Sequence, residues 1–103
     1  MNNKYTLSYL PLFEQDLTSV RDYIAHTLQN PSAAQRLIEE IENAIIKRLQ
    51  NPLTFEPYHS NKNRKHPYYR IYVKNYTVFY VVIGNVMEVR RFIYSKRDIS
   101  NLI

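Results

Sequence analysis

Apolar residues recur at helical spacing in the first half of the chain and at strand spacing in the second. Residues 4–9, KYTLSY, alternate polar and apolar and read as a short first strand. Pro11 suits the first turn of a helix. Phe13, Leu17, Val20, Ile24 and Leu28 then follow at intervals of four, three, four and four. That spacing lays one apolar stripe on a helix of about five turns. Glu14 and Asp16 lie in its first turn, where the helix dipole favours anions. Asn30 can cap a second helix whose first position is Pro31. Its stripe is Ala34, Leu37, Ile38, Ile41, Ile45 and Leu49, and its outer face carries Arg36, Glu39, Glu40, Glu42, Lys47 and Arg48. Asn51-Pro52 stops it. Two amphipathic helices joined by two or three residues lie antiparallel as a hairpin.

Residues 52–67 hold three prolines and a basic polar stretch and predict an exposed loop. Three β-branched and aromatic runs follow, at 68–74, 76–83 and 86–94. Short turns at Lys74-Asn75 and Gly84-Asn85 join them into an antiparallel meander. The order β-α-α-β-β-β predicts an α+β domain spanning 1–103, with the N-terminal strand and helical hairpin packed on a small antiparallel sheet. The far face of that sheet is expected to be open. Ile71 and Val73 share one face, and Arg70, Tyr72 and Lys74 the other. In the last strand Met87, Val89 and Ile93 alternate with Glu88, Arg90, Phe92 and Tyr94. Arg91 falls by parity among the apolar set, which points either to a sheet edge or to a bulge that changes the register.

With 103 residues, a single core is the expectation. The absence of cysteine excludes a disulfide scaffold and a thiolate metal site and suits a reducing cytoplasm. No apolar run approaches the ~18 residues of a membrane span, and MNNKYTLSY lacks a signal-peptide core, so an intracellular soluble protein is expected. Charge changes the picture more. Residues 1–57 carry five basic and seven acidic side chains, whereas residues 58–103 carry nine basic and two acidic. A basic half of net +7 favours a polyanionic partner, above all nucleic acid.

Several segments together resemble the RelE/ParE superfamily of toxins from type II toxin–antitoxin modules, from Tyr5 to Leu102. They are the strand–helix–helix start, NPSAAQRLIEEIENAI, the Asn51-Pro52 break, YYRIYVKNYTVFYVV and VMEVRRFIYSKRDISNLI. The family pattern of a strand-borne Arg, a Tyr-x-x-x-Tyr strand and a basic Arg-Asp ending is met by Arg70, by Tyr76 with Tyr80, and by Arg97-Asp98. The resemblance implies a growth-inhibiting toxin with one of two activities. RelE-like members are ribosome-dependent endoribonucleases that cut mRNA, the activity that the outward basic cluster on the sheet favours; the alternative is that of ParE-like members, which poison DNA gyrase. It also implies an antitoxin partner that is acidic and folds on binding. Thr77 stands where RelE-like nucleases often have Arg, and the ending resembles the gyrase-directed branch at least as much as the ribosomal one.

Metal-independent RNA cleavage needs a group to take the 2′-OH proton, cations for the phosphorane and an acid for the leaving oxygen. The candidate catalytic residues are Arg70, Tyr94, Lys96 and Arg97. Arg70 and Arg97 match basic positions of RelE-like enzymes by resemblance, and an Arg fork suits a phosphate. Lys62, Arg64, Lys65, Tyr72, Lys74 and Arg90 are the candidate nucleic-acid-binding residues. Each has a plainer role available: Arg70 as a sheet anchor, Tyr94 as packing, the 61–66 run as a solvated loop. His59 and His66 lack the spacing and the third ligand of a metal pair, and neither metal nor cofactor is expected. A single glycine excludes P-loop and Rossmann phosphate cradles.

Overall fold

A computed structural model describes residues 4–58 and 64–97. The elements follow in the expected order: β1 (Thr6–Tyr9), α1 (Pro11–Asp22), α2 (Pro31–Arg48), β2 (Tyr69–Val73), β3 (Tyr76–Ile83) and β4 (Val86–Tyr94). Pro11 and Pro31 open the helices, and the Asn30 side chain accepts a hydrogen bond from the Ala33 N–H at 3.1 Å. The sheet order is β1-β4-β3-β2. The last three strands form the antiparallel meander, with Lys74 and Gly84 in left-handed conformations at the two turns. β1 pairs parallel with β4, so the sheet is mixed rather than antiparallel throughout. Parallel neighbours need a long crossover, and here everything between the first and last strands supplies it.

The first helix ends differently from its periodic pattern. After Asp22 it continues as a π-helical turn, Tyr23–Thr27. A π-turn holds one residue more than an α-turn, so later residues rotate off the stripe. Ile24 still packs on the core, but Leu28 is left 55% exposed.

Phe13, Leu37, Ile41 and Ile45 from the helices meet Ile71, Val73, Val78, Tyr80, Met87 and Val89 from the sheet in the main core. The opposite sheet face is not open at its centre. Tyr68, Phe79, Val81 and Ile93 form a second buried cluster, with Tyr58 packed against it. The Tyr58 N–H donates to the Tyr68 carbonyl, and both rings meet Phe79 edge-on at 5.8 and 6.0 Å. β3 is apolar on both faces, so burial favours a cover on each side.

Both explanations for Arg91 hold. Phe79 pairs with Arg91 but Tyr80 pairs with Val89, which leaves Arg90 as the extra residue of a bulge. The bulge reverses alternation: Phe92 joins Met87 and Val89 in the main core, and Ile93 turns to the outer cluster. Arg91 is also at an edge, because β1 stops at Tyr9. Asp16 of α1 takes over there, accepting from the Phe92 N–H at 3.0 Å and from Arg91 Nε at 2.7 Å and Nη2 at 3.1 Å. The pair is largely buried, and the bonds to Asp16 hold the Arg91 guanidinium above its usual pKa against the opposing effect of burial.

Removing one partner of a buried pair leaves an uncompensated charge. Asp16→Ala is therefore expected to cost about 3 kcal/mol in denaturant unfolding. Asp16→Asn keeps an acceptor for Phe92 and should lose less.

Candidate functional site

Alternation along β2 turns Arg70 outward, and the loop that roofs the sheet places a ring beside it. The Arg70 guanidinium lies 5.0 Å from the Tyr58 ring centroid and 5.7 Å from that of Tyr72, which is 63% exposed. Among the described residues no carboxylate pairs with Arg70. Its backbone is fixed from behind: Arg48 Nη1 donates to the Arg70 carbonyl at 2.8 Å and to the Tyr80 hydroxyl at 3.1 Å. Tyr80 in turn donates to the Pro52 carbonyl at 2.7 Å. Arg48 is sandwiched further by Phe55, whose ring centroid is 3.6 Å from the guanidinium carbon.

The same alternation of rings and guanidinium groups continues across the face. Arg64 lies 4.6 Å and Arg90 5.9 Å from the Tyr68 ring centroid. Arg90 Nε donates to Glu88 at 2.8 Å. Burial disfavours the Arg90 charge, but hydrogen bonds to Tyr68 and Glu88 outweigh it and raise its pKa. The outer face thus presents a row of tyrosines and arginines, with Lys65 exposed on the adjoining loop.

The structure therefore gathers Arg64, Arg70, Tyr72 and Arg90 on one side. It does not gather the four candidate catalytic residues. Tyr94 meets Tyr76 edge-on at 5.7 Å, and Tyr76 stacks on Phe92 at 4.8 Å and packs against the main core. That is the helix side of the sheet, opposite Arg70. Lys96 and Arg97 are exposed in the turn after Tyr94, where the Arg97 N–H donates to the Tyr94 carbonyl. Lys74 lies in the β2–β3 turn rather than on the outer face, with Nζ 3.5 Å from Glu40. Lys62, His59 and Asp98 lie outside the described residues. Thr77 is buried against Ser95, their hydroxyls 2.8 Å apart.

Two residues that periodicity does not single out shape this site. Arg48 belongs by spacing to the outer face of α2, yet it turns inward; its position next to Leu49, at the stripe border, was the available signal. Tyr58 sits in an aperiodic segment, and only its aromatic type hinted at burial.

Two grooves flank the helices. One, of about 500 Å³, is lined by Ala44, Lys47, Arg48, Phe55 and Ile71. The other, of about 220 Å³, has Phe13, Leu17, Ile41 and Ile45 with Glu14 and Glu42 beside them. Among the described residues no group of three or more His, Asp and Glu is placed to hold a metal, and no helix is long and apolar enough to cross a membrane.

Burial pushes the Tyr80 phenol above its usual pKa, against the lowering effect of Arg48. Burial raises Tyr9 as well, helped by Glu42 and Glu14, and raises Tyr76, helped by Tyr94 and Tyr23. An unfolded chain releases these protons near pH 10, before the folded one does. Stability is thus complete below about pH 10 and falls as pH climbs through the folded values. Melting temperature should drop in that window, and phenolate absorbance should show a late-titrating fraction. Tyr80→Phe should shrink that fraction and cost about 1–2 kcal/mol for the lost hydroxyl bonds.

Comparison with known proteins gives a family and a fold. The family described as the ParE toxin of the type II toxin–antitoxin system parDE matches residues 7–99. The structure is similar to that of the chromosomal ParDE system from P. aeruginosa, with a TM-score of 0.74 at 14% identity over 92% of this chain and all of that one. It is also similar to the archaeal RelE–RelB complex from Pyrococcus horikoshii OT3, with a TM-score of 0.56 at 17% identity over 92% of this chain and 99% of that one. At these identities the likeness is one of fold. No curated protein sequence matches the chain.

Proposed function

The chain belongs to the ParE toxin family of type II toxin–antitoxin systems, and from that premise we propose that it arrests growth by gripping DNA gyrase rather than by cutting mRNA. The observation that carries this reading is the division of the candidate residues between two sheet faces. A nuclease needs its proton carrier and its phosphate clamp around one phosphate, within hydrogen-bond reach in the reacting complex. Arg70 is outward beside Tyr58, while Tyr94 is on the helix side against Tyr76. The outer face instead has the composition of a protein-binding hot spot, where Tyr and Arg anchors dominate. Arg70 is poised there as a fork for a partner's carboxylate or a DNA phosphate.

The second partner in this reading is an antitoxin segment that is acidic as well as apolar and orders on binding. The groove beside α2 and β2 supports it, since Lys47 and Arg48 border an apolar floor of Ala44, Phe55 and Ile71. Ordering a chain there is offset by the apolar area it buries. A target that works on the chromosome also places the toxin in the cytoplasm.

The ribosome-dependent endoribonuclease is the competing reading, and one induction experiment separates them. Chromosomal breaks with intact mRNA ends are expected on expression of the toxin alone. Internal mRNA cuts with an intact chromosome would reject the gyrase reading. Arg70→Ala should restore growth with an unchanged melting temperature. Its affinity for gyrase should fall by about 30-fold, the loss typical of a hot-spot side chain worth ~2 kcal/mol.

A further inference from the structure

The end of the sheet away from the β3–β4 turn carries a second aromatic and basic patch, on the side opposite Arg70. Tyr76 and Tyr94 face each other across β3 and β4. Stacking on Phe92 fixes the Tyr76 ring, and Tyr94 stands edge-on to it. The π-helical turn brings Tyr23 to the same corner, near enough for its phenol to act electrostatically on Tyr76. Tyr23 remains 54% and Tyr94 42% exposed.

The chain that follows is held in place. The Ser95 N–H donates to the Asn75 carbonyl at 2.8 Å, the Ser95 and Thr77 hydroxyls are bonded, and the Arg97 N–H closes a turn on Tyr94. Lys96 and Arg97 are therefore carried on a pinned turn directly after an exposed ring. Among the described residues neither has a carboxylate partner. Lys74 stands in the adjoining turn, its ammonium 3.5 Å from the half-exposed Glu40.

We propose that this corner binds single-stranded nucleic acid, with a base stacked on Tyr94 and its flanking phosphates on Lys96 and Arg97. Aromatic faces accept any unpaired base, and nearby cations track the backbone. A duplex hides its base faces and cannot use the rings. An acidic segment such as the antitoxin's could match Lys96 and Arg97 but has no need of a ring face, whereas every nucleotide brings both a flat ring and an anion. The site does not depend on which enzyme the toxin grips: single strands arise in replication and translation alike.

The test uses the full-length toxin, purified free of partner, and a fluorescein-labelled oligothymidylate of about ten nucleotides, within the span of one small module. Anisotropy titrations should show saturable binding. Tyr94→Leu should weaken it about 5- to 150-fold, the range for one lost stacking partner. Tyr23→Leu, at the more exposed ring, provides a second variant if the first destabilises the sheet. Lys96→Gln with Arg97→Gln should lower the salt slope by about 1.4, for two lost single-strand phosphate contacts. Tyr72→Leu asks whether the outer face, rather than this corner, holds the strand. The proposal is overturned if Tyr94→Leu melts normally and binds unchanged, if Tyr23→Leu does so where Tyr94→Leu fails to fold, or if a duplex competes as well as the single strand. It is equally overturned if Tyr72→Leu is the variant that loses binding, which would move the site to the outer face.

Discussion

Tyr80 carries its hydroxyl into the centre of the protein, and a buried hydroxyl without partners would cost several kcal/mol. Its two partners set the relation of the layers. Donating to the Pro52 carbonyl fastens the chain as it leaves α2; accepting from Arg48 fastens α2 itself. Arg48 then spends its remaining reach on the Arg70 carbonyl. One phenol and one guanidinium thus join the end of a helix, the following loop and two strands. The outward Arg70 side chain is aimed by this junction, because its backbone is gripped from the side away from solvent. The outer face is consequently a rigid presentation rather than a set of independent surface side chains.

The bulge at Arg90 is the second constraint. One extra residue in β4 sends Phe92 inward, brings Ile93 out to cap Phe79 and Val81, and places Tyr94 on the helix side. Without it, strict alternation would have put Tyr94 on the same face as Arg90 and Arg70, in the arrangement that RNA cleavage would call for. A local change of register therefore decides which face Tyr94 joins. The division of basic and aromatic groups into two patches, one per face, follows from that single residue.

Much of this architecture was legible in the amino-acid order. Spacings of three and four located both helices, Asn30-Pro31 and Asn51-Pro52 marked their limits, and the strands of the meander fell within a residue of their observed bounds. The family was readable as well, through segments rather than any one motif. What resisted reading was whatever depends on contacts distant in sequence. Parity flagged Arg91 but could not distinguish a bulge from an edge, since both leave a charge in an apolar row. The pairing of β1 was silent because four residues carry no directional signal. Tyr58 roofs the sheet from a segment with no period at all. Arg48 looked like any solvated residue on a helical wheel, and its inward turn becomes visible only when β2, β3 and the loop surround it.

At each side of the sheet a side chain takes up a backbone group. β1 is only four residues long, and where it stops, Asp16 occupies the Phe92 N–H that a further strand would have used. On the other edge, Arg48 occupies the outward carbonyl of β2. Bare strand edges recruit copies of themselves. A toxin apart from its antitoxin must persist in solution without a partner covering its surface. With an aspartate and an arginine each taking up a backbone group at these edges, the free molecule offers its binding faces with fewer backbone groups on which to polymerise.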